Sequence, residues 1–392
     1  GYQDEEEYTI PILPQGTELA EGTLGILSDA KTVKVQSGED EEVMVSITDN
    51  QLDIYKESVN YLTGYKYLCN EQLASKLIGL LAYQQYMQSK GEKVKVDKAI
   101  RPIIHRLTNH QNKHQLWSWW GNSENTSFWM SAHILRALKM AQDAGYPVEL
   151  NLNGLKVEYA HTRPYRGMKL EDIEILHALH EWKVEADYSS AVRLLEPFVR
   201  QLEQKEDSLA NRNKYYRPLS YLKEKLLLWE IKQQVDSVNV GDSVRPYLKK
   251  DMLEGVYCDD GRRTYYWEGN QMINTLIAYR IIKNDPSLCK LKENMQLYIL
   301  RTKERGWNTY QASSAVATVL TDLLAGSGGM SGTSVSVSGK DHQRITEFPY
   351  HARLTAGDSL LISKTGKEPL LYSVYSMKRV MNARQSDAFK VE

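Results

Sequence analysis

Residues 65–77 of the chain read YKYLCNEQLASKL. Within this stretch Cys69 and Gln72 lie three residues apart at the predicted start of a helix, a spacing that brings both side chains to one side of the first turn. There the Cys69 thiolate can attack the carboxamide carbon of Gln72, expel ammonia and form an internal thioester. The partial positive charge at a helix N-terminus favours the thiolate as attacking group and later as leaving group. The stretch therefore predicts a helix that stores an electrophile at its N-terminal end.

The pattern of apolar residues on the C-terminal side of this stretch indicates a long helical region. From about residue 51 to about residue 324, apolar residues recur every three or four positions. Helices are predicted over 71–90, 97–108, 127–144, 170–182, 187–206, 216–234, 268–284, 287–304 and 310–325. Successive helical hairpins without a strict short repeat are typical of a solenoid or of an α/α toroid, and the sequence alone does not separate the two. One interruption, residues 149–159, has Asn-Gly between two alternating arms and predicts a β-hairpin.

Both ends of the chain have the alternating pattern of β-strands, with turn residues between short apolar runs. The runs lie at residues 8–12, 24–27, 32–35, 43–47, 333–337, 360–362 and 370–375. A Gly-Ser-Gly-Gly joint at residues 326–329 separates the second group from the helices. Because unpaired edge strands promote aggregation, we expect the two ends to pair into one β domain.

Composition and charge exclude several classes of protein. The 392 residues are 42% hydrophobic and 25% charged, as in globular proteins with a sizeable core. Lys plus Arg (49) nearly balance Asp plus Glu (50), and the net charge of −1 gives no general attraction to nucleic acid or anionic lipid. No apolar run approaches the roughly 20 residues of a transmembrane helix. The first residue is Gly1 rather than Met, which predicts a processed protein or a piece of a longer one.

Four segments carry a resemblance to one protein family. The first is the Cys-x-Glu-Gln pattern of residues 69–72, with the flanking Tyr65, Tyr67 and Ser75. The second, residues 117–138, reads WSWWGNSENTSFWMSAHILRAL. The third and fourth are residues 306–312 (GWNTYQA) and 361–373 (LISKTGKEPLLYS). Together they resemble bacterial members of the alpha-2-macroglobulin and complement family over nearly the whole chain.

The resemblance implies a mainly α fold with β-strands at both ends. Residues 51–326 are then expected to form an α/α toroid of paired helices, which is the thioester domain of the family. Residues 1–50 and 327–392 are expected to supply the strands of a CUB-like β-sandwich domain. The last residues of the 327–392 range are expected to lead into a further β domain.

The resemblance also implies a function as an endopeptidase inhibitor rather than an enzyme. In the family, a protease cuts a bait segment, the structure rearranges, and the exposed thioester captures the protease. Attack by an amine or hydroxyl of the protease forms an amide or ester at Gln72 and frees Cys69 in a single turnover. The implied partners are target proteases and the other macroglobulin domains of the parent chain, and no cofactor is implied. The implied location is the periplasm or the cell envelope.

The other residues of the motif are expected to support or protect the thioester. Glu71 and Asn70 complete the motif between the two reacting residues. Because water hydrolyses thioesters, we expect aromatic shielding, and Tyr65 and Tyr67 lie at alternate positions from which their rings can cover the sulfur. Leu68 stands where the family usually has Gly, and its Cβ restricts the backbone of this turn.

Residues outside the motif are expected nearby as aromatic cover or as a base. Trp119 and Trp120 are the aromatic candidates, although core packing is favoured over a sugar-stacking platform for the tryptophans of residues 117–129. His133 is a candidate for the base that hydroxyl-directed family members use. No motif fixes the position of such a base, and His105, His110 and His114 are candidates as well.

The sequence gives weak support for a metal site. The pairs His110/His114 and His177/His180 have helical spacing, but no third ligand joins them in a recognised pattern. Solvated or hydrogen-bonded histidines are therefore favoured, and no metal is predicted.

Two other functional classes stay open at this point. One is a scaffold in which the toroid binds a partner without a working thioester. The other is a glycan-active toroid enzyme, with Asp259, Asp260 and Glu268 as candidate carboxylates, although the first two are more simply part of a solvated turn. No spacing argument decides whether Cys258 and Cys289 pair or remain thiols.

Overall fold

A computed structural model describes most of the chain. The described residues are 17–27, 32–38, 41–48, 50–66, 68–89, 91–155, 159, 169–251, 255–264, 271–303, 306–322, 333–339, 341–366 and 370–380. The predicted strand at residues 8–12 and the last residues, 381–392, lie outside this set. Among the described residues, no helix is both long enough and apolar enough to cross a bilayer.

The central part of the chain is helical, as its periodicity predicts. The helices are α1 (Asn50–Gly64), α2 (Asn70–Ser89), α3 (Asp97–Asn109), α4 (Phe128–Asp143), α5 (Asn153–Leu155), α6 (Glu171–Glu181), α7 (Tyr188–Arg212), α8 (Leu222–Asp236), α9 (Gly241–Val244), α10 (Gln271–Ile282), α11 (Cys289–Thr302) and α12 (Thr309–Ala315), which continues as a π-helical segment over Val316–Leu320. Each predicted helical range overlaps one of these helices, whereas α1 was not among the predicted ranges.

Six of the helices contact one another in a closed cycle. In order, α2 contacts α4, α4 contacts α6, α6 contacts α8, α8 contacts α10, α10 contacts α12, and α12 contacts α2. We call this cycle the helical ring. Helices α1, α3, α7 and α11 pack against members of the ring. Helix α10 is buried on nearly all sides, in keeping with a sequence that is apolar around its whole circumference.

The strands form two four-stranded antiparallel sheets and one small ribbon. They are β1 (Thr17–Leu27), β2 (Thr32–Gln36), β3 (Glu41–Thr48), β4 (Leu248–Lys250), β5 (Val256–Cys258), β6 (Ser334–Ser338), β7 (His342–Ile345), β8 (Tyr350–Leu354), β9 (Ser359–Thr365) and β10 (Leu370–Val380). The first sheet has the order β1-β10-β3-β8 and the second β2-β9-β6-β7, while β4 pairs with β5. Strands from before and after the helices therefore share both large sheets.

The two large sheets bury a common apolar core. In β3 the inward positions Val43, Val45 and Ile47 alternate with more exposed residues, as expected for a strand with one buried face. These side chains belong to one buried cluster with Val337 of β6 and Ile362 of β9. Because the cluster draws on both sheets, the sheets form a sandwich.

The predicted β-hairpin around residues 149–159 is wrong. Residues 153–155 form the helical turn α5 instead. The side-chain oxygen of Asn151 accepts a hydrogen bond from the backbone N–H of Asn153 at 3.1 Å, which favours a turn over an extended arm. Leu155 is completely buried, and its N–H donates to the side chain of Gln115. Tertiary burial of Leu155 therefore overrides the local Asn-Gly signal.

Candidate functional site

The start of α2 brings Cys69 and Gln72 together. Cys69 directly precedes the helix, and its carbonyl accepts the backbone N–H of Leu73 at 2.9 Å. The side chain of Gln72 folds back so that its Oε1 accepts the backbone N–H of Cys69 at 3.1 Å. This is the reciprocal position that Gln or Glu takes in a capping box, three residues after the helix-capping residue. The carboxamide of Gln72 is therefore held beside the residue whose thiol would attack it.

The thiol of Cys69 is nearly inaccessible, with 4% of the residue exposed. Burial raises the pKa of this thiol, while the backbone N–H of Gln72 acts to lower it and the carboxylate of Glu71 adds to the increase. The net shift is upward. The helix N-terminus therefore favours the thiolate as expected, but desolvation outweighs it and keeps the free thiol protonated near neutral pH.

Glu71 connects the motif to the last helix of the ring. Its Oε1 accepts the hydroxyl of Ser75 at 2.7 Å, and its Oε2 accepts the hydroxyl of Thr309 at 2.8 Å. Burial raises the pKa of Glu71, and these two hydrogen bonds partly oppose the increase. Among the described residues, the carboxyl group therefore joins α2 to the start of α12 through hydroxyl groups and has no ion-pair partner.

His133 extends this network to α4. Its Nε2 lies 3.0 Å from Ser75 Oγ, and because the Ser75 hydroxyl donates to Glu71, Nε2 carries the hydrogen that Ser75 Oγ accepts. Burial and, to a smaller extent, nearby Arg136 lower the pKa of His133 to about 3. The ring packs edge-on against Tyr310, with centroids 4.9 Å apart. His133 is therefore neutral, and its Nε2 cannot accept a proton in this arrangement.

The aromatic candidates differ in position. The carbonyl of Trp119 accepts the backbone N–H of Asn70 at 3.0 Å, so Trp119 lies next to the start of α2. Its ring packs edge-on against Trp129, with centroids 5.8 Å apart. Trp120 is 64% exposed. Tyr65 is half-buried against Tyr61, with ring centroids 5.9 Å apart.

Tyr67 and Leu68 flank Cys69, the first as a predicted aromatic cover and the second in the turn before α2. Tyr67 lies outside the described residues. Leu68 is half-buried against the helical core, and it is not among the non-glycine residues with positive φ, which in the described chain are Gln115, Lys183 and Ser237. The backbone at Leu68 therefore does not need the left-handed conformation that would favour glycine.

Comparison with solved structures adds to this geometry. No protein-family model and no curated protein matches the sequence. Trypsin-activated alpha-2-macroglobulin from Escherichia coli matches 94% of the chain with a TM-score of 0.61 at 14% identity, and the match covers 25% of that chain. The chain has the fold of this part of bacterial alpha-2-macroglobulin. Two further structures extend the match.

The first is Escherichia coli alpha-2-macroglobulin activated by porcine elastase, with a TM-score of 0.55 over 94% of the chain and 33% of that structure, at 14% identity. The second is Salmonella alpha-2-macroglobulin reacted with methylamine, with a TM-score of 0.52 over 95% of the chain and 24% of that structure, also at 14% identity. The chain thus spans a quarter to a third of the length of these alpha-2-macroglobulin structures.

Within this macroglobulin-like fold, a cavity of about 320 Å³ lies among the ring helices. Its charged lining includes Arg136, Glu174, Glu181, Lys223 and Arg280. These residues were not among the site residues predicted from the sequence. The available signal was the placement of charged residues on otherwise apolar helices, which marks either a paired network or a site.

The charges that line or adjoin the cavity are paired. Arg136 Nε donates to Glu181 Oε2 at 2.8 Å, and Lys223 pairs with Glu174. Arg280 donates through Nε and Nη2 to the two oxygens of Glu230, at 2.8 and 2.7 Å. A paired network of this kind needs no ligand to satisfy its charges.

The cavity carboxylates do not suit glycoside hydrolysis. Burial acts to raise the pKa of Glu181, but Arg136 and His177 outweigh it and bring the pKa to about 2. The pKa of Glu174 is also lowered, because Lys223 and Arg136 outweigh its burial. A glycosidase needs one carboxylic acid with a raised pKa, which neither residue provides.

The other candidate carboxylates lie at a turn. Asp259 and Asp260 accept the backbone N–H groups of Gly261 and Arg262, at 3.1 Å each, as the turn interpretation predicts. Glu268 lies outside the described residues.

The remaining histidines and cysteines do not form a metal site in the described part of the chain. No group of three or more His, Cys, Asp or Glu residues there is arranged to hold a metal ion. His177 Nε2 lies 2.8 Å from Glu230 Oε2 instead. Cys258 and Cys289 are free thiols, the first buried and the second exposed.

Proposed function

We propose that the chain is the thioester-bearing part of a bacterial alpha-2-macroglobulin-like protease inhibitor, and that Cys69 and Gln72 form its internal thioester. The observation that carries the proposal is the folded-back side chain of Gln72, whose Oε1 accepts the N–H of Cys69 at the start of α2. In the reaction, Cys69 Sγ bonds to the Gln72 carboxamide carbon and ammonia leaves. An amine or hydroxyl of a captured protease then takes the acyl group and returns the proton to Cys69.

The architecture supports the same proposal. We assign the helical ring with its outer helices, over residues 51–326, to an α/α toroid thioester domain. The sandwich built from residues 1–50 and 327–392 is assigned to a CUB-like domain, with its last residues leading into a further β domain. The matched structures support this assignment at the level of fold.

The treatments of the matched proteins indicate the chemistry to test. The Salmonella protein is described as reacted with methylamine, and the two Escherichia coli proteins as activated by trypsin and by elastase. By analogy, we propose that the parent of this chain captures proteases in the periplasm or cell envelope. Its other partners would be the remaining macroglobulin domains of the same parent, and Tyr65 and Tyr67 would shield the thioester from water.

The test is peptide mass spectrometry of the full-length natural protein before and after methylamine treatment. A working thioester gives a methylamide at Gln72 and one new thiol at Cys69. Cys69→Ser should abolish incorporation, whereas Cys289→Ser, which changes an exposed thiol away from the motif, should leave it unchanged. An unmodified Gln72 after treatment, with a free Cys69 thiol before it, would contradict the thioester and favour the scaffold interpretation.

A further inference from the structure

Asn70 is hydrogen-bonded to three carbonyl groups of one turn. Its side-chain Nδ2 donates to the carbonyls of Ser118 at 2.8 Å and Gly121 at 3.0 Å, and its backbone N–H donates to the carbonyl of Trp119 at 3.0 Å. We call residues 118–121 the tryptophan turn. Asn70 is 1% exposed, so these hydrogen bonds are protected from competing water.

His110 completes the bonding of the Asn70 side chain. Its Nδ1 lies 2.6 Å from Asn70 Oδ1. Because the amide nitrogen of Asn70 makes both bonds to the tryptophan turn, its oxygen faces His110 and can only accept, so His110 Nδ1 carries the hydrogen. Each polar atom of the Asn70 side chain is therefore used, and the amide orientation is fixed.

The tryptophan turn is thus held to Asn70, which is the first residue of α2 and directly follows Cys69 in the chain. Gly121 has a φ of +57°, a left-handed conformation that allows the chain to turn back there. Trp119 continues from the turn into an aromatic row, since its ring packs on Trp129 and the Trp129 ring packs on Tyr310. Cys69, the residue before Asn70, is 4% exposed, whereas Trp119 and Trp120 of the turn are 43% and 64% exposed.

From this arrangement we infer that Asn70 is a positioning residue that holds the tryptophan turn over the start of α2 and limits access of water and reagents to Cys69. Its consequence for thioester lifetime rests on the proposed function, whereas its effect on access to the Cys69 thiol does not. The alternative is that Asn70 only stabilises the fold.

Asn112 provides a matched control. It is 6% exposed, and its Nδ2 donates to Ser123 O at 3.0 Å and Thr126 Oγ1 at 3.2 Å. Its Oδ1 accepts the backbone N–H groups of His114 and Leu116. The Asn112 side chain thus holds the neighbouring loop by four hydrogen bonds, one more than the Asn70 side chain makes, and none of the four reaches α2.

The experiment measures alkylation of Cys69 by N-ethylmaleimide in the full-length natural protein carrying Gln72→Glu. This change keeps an oxygen for the Cys69 N–H and removes the ammonia leaving group, so Cys69 stays a free thiol in every variant. Peptide mapping distinguishes Cys69, Cys258 and Cys289. Exposed Cys289 reports on reagent activity, and completely buried Cys258 reports on global unfolding.

In this background, Asn70→Ala should speed alkylation of Cys69 by about tenfold, as expected from the loss of one to two net hydrogen bonds. Asn112→Ala should change it by less than about twofold. An unchanged Cys69 rate in Asn70→Ala, or equal acceleration in Asn112→Ala, with Cys258 protected, would overturn the inference. If Asn70→Ala also exposes Cys258, His110→Ala decides: acceleration at Cys69 alone supports the inference, and no acceleration overturns it.

In chains that keep Gln72, Asn70→Ala should shorten the lifetime of the methylamine-reactive thioester. Absence of any thioester in the unmutated protein would refute the proposed function only, because the alkylation experiment does not depend on it.

Discussion

Two buried histidines lie on neighbouring ring helices, His133 on α4 and His177 on α6. Their pKa values are shifted in opposite directions. Burial lowers the pKa of His133, whose ring meets the Ser75 hydroxyl and the edge of Tyr310. Burial acts in the same direction on His177, but the carboxylates of Glu181 and Glu230 outweigh it and raise its pKa. Arg136 lies near both rings, and its Nη2 is 3.1 Å from His177 Nδ1. The carboxylates therefore decide the difference, not the depth of burial.

The comparison separates the helical ring into two regions with different chemistry. Around Glu71 and His133, two hydroxyl groups donate to the buried carboxyl group, and a neutral imidazole bonds to one of those hydroxyls. Around His177 and Glu230, formal charges are paired. The proposed thioester therefore lies beside the region whose buried carboxyl group is held by hydroxyl groups rather than by ion pairs.

The largest expected loss of stability comes from removing a carboxylate of the charged region. Glu230→Gln leaves Arg280 and His177 without their carboxylate, and we expect a loss of about 3–5 kcal/mol in the free energy of unfolding, measured by urea denaturation. Glu196→Gln is the control, because Glu196 pairs with Lys232 at the surface and should cost about 0–1 kcal/mol. Equal losses in the two variants would contradict the distinction between the regions.

A pH series should show that the two histidines change the pH dependence of folding stability in opposite directions. The unfolded His133 takes up a proton at about pH 6.5, whereas the folded one does so only at about 3, so the folded state loses stability as the pH falls between these values. His133→Gln should remove this loss, which amounts to about 2 kcal/mol between about pH 6.5 and about pH 5.

For His177 the pH dependence of stability is reversed. Its folded pKa is raised, so its contribution is complete below the unfolded pKa and is lost as the pH rises through the folded value. His177→Gln should therefore flatten the alkaline side of the stability profile instead. Urea midpoints at several pH values measure both effects, and identical profiles for the two variants would refute the comparison.

The smallest effect is expected beside Cys69, at Leu68. Because Leu68 does not have positive φ, Leu68→Gly relieves no strain and removes a half-buried side chain, which should cost about 1 kcal/mol of unfolding free energy. Methylamine incorporation at Gln72 should be unchanged. Ser237→Gly is the opposite case, since Ser237 follows α8 with a φ of +53° and should gain up to about 1 kcal/mol. A gain in Leu68→Gly would show that Leu68 is strained.

The sequence predicted the helices well because each long helix has a regular apolar period that tertiary packing reinforces. Helix α1 was missed since its apolar residues, such as Tyr55, Val59 and Leu62, are separated by many polar ones. The hairpin at residues 149–159 was wrong because local turn preference was overridden by burial of Leu155.

The candidate site was predictable only in part. The spacing of Cys69 and Gln72 was enough to expect their proximity, since both belong to one helical turn. The partners of Glu71 and Asn70 come from residues 309 and 110–121, and no local pattern indicates contacts across such separations. The charged cavity was missed for the same reason, because its residues come from several ring helices.

The pairing of β1 with β10 has a mechanical consequence. The two strands are antiparallel, with Thr17 opposite Val380 and Leu27 opposite Leu370. Tension applied between the residues before Thr17 and those after Val380 would load that terminal pair first and peel the strands apart one pair at a time. Such a load would therefore be carried by one residue pair at a time at the edge of the sandwich, where β1 lies.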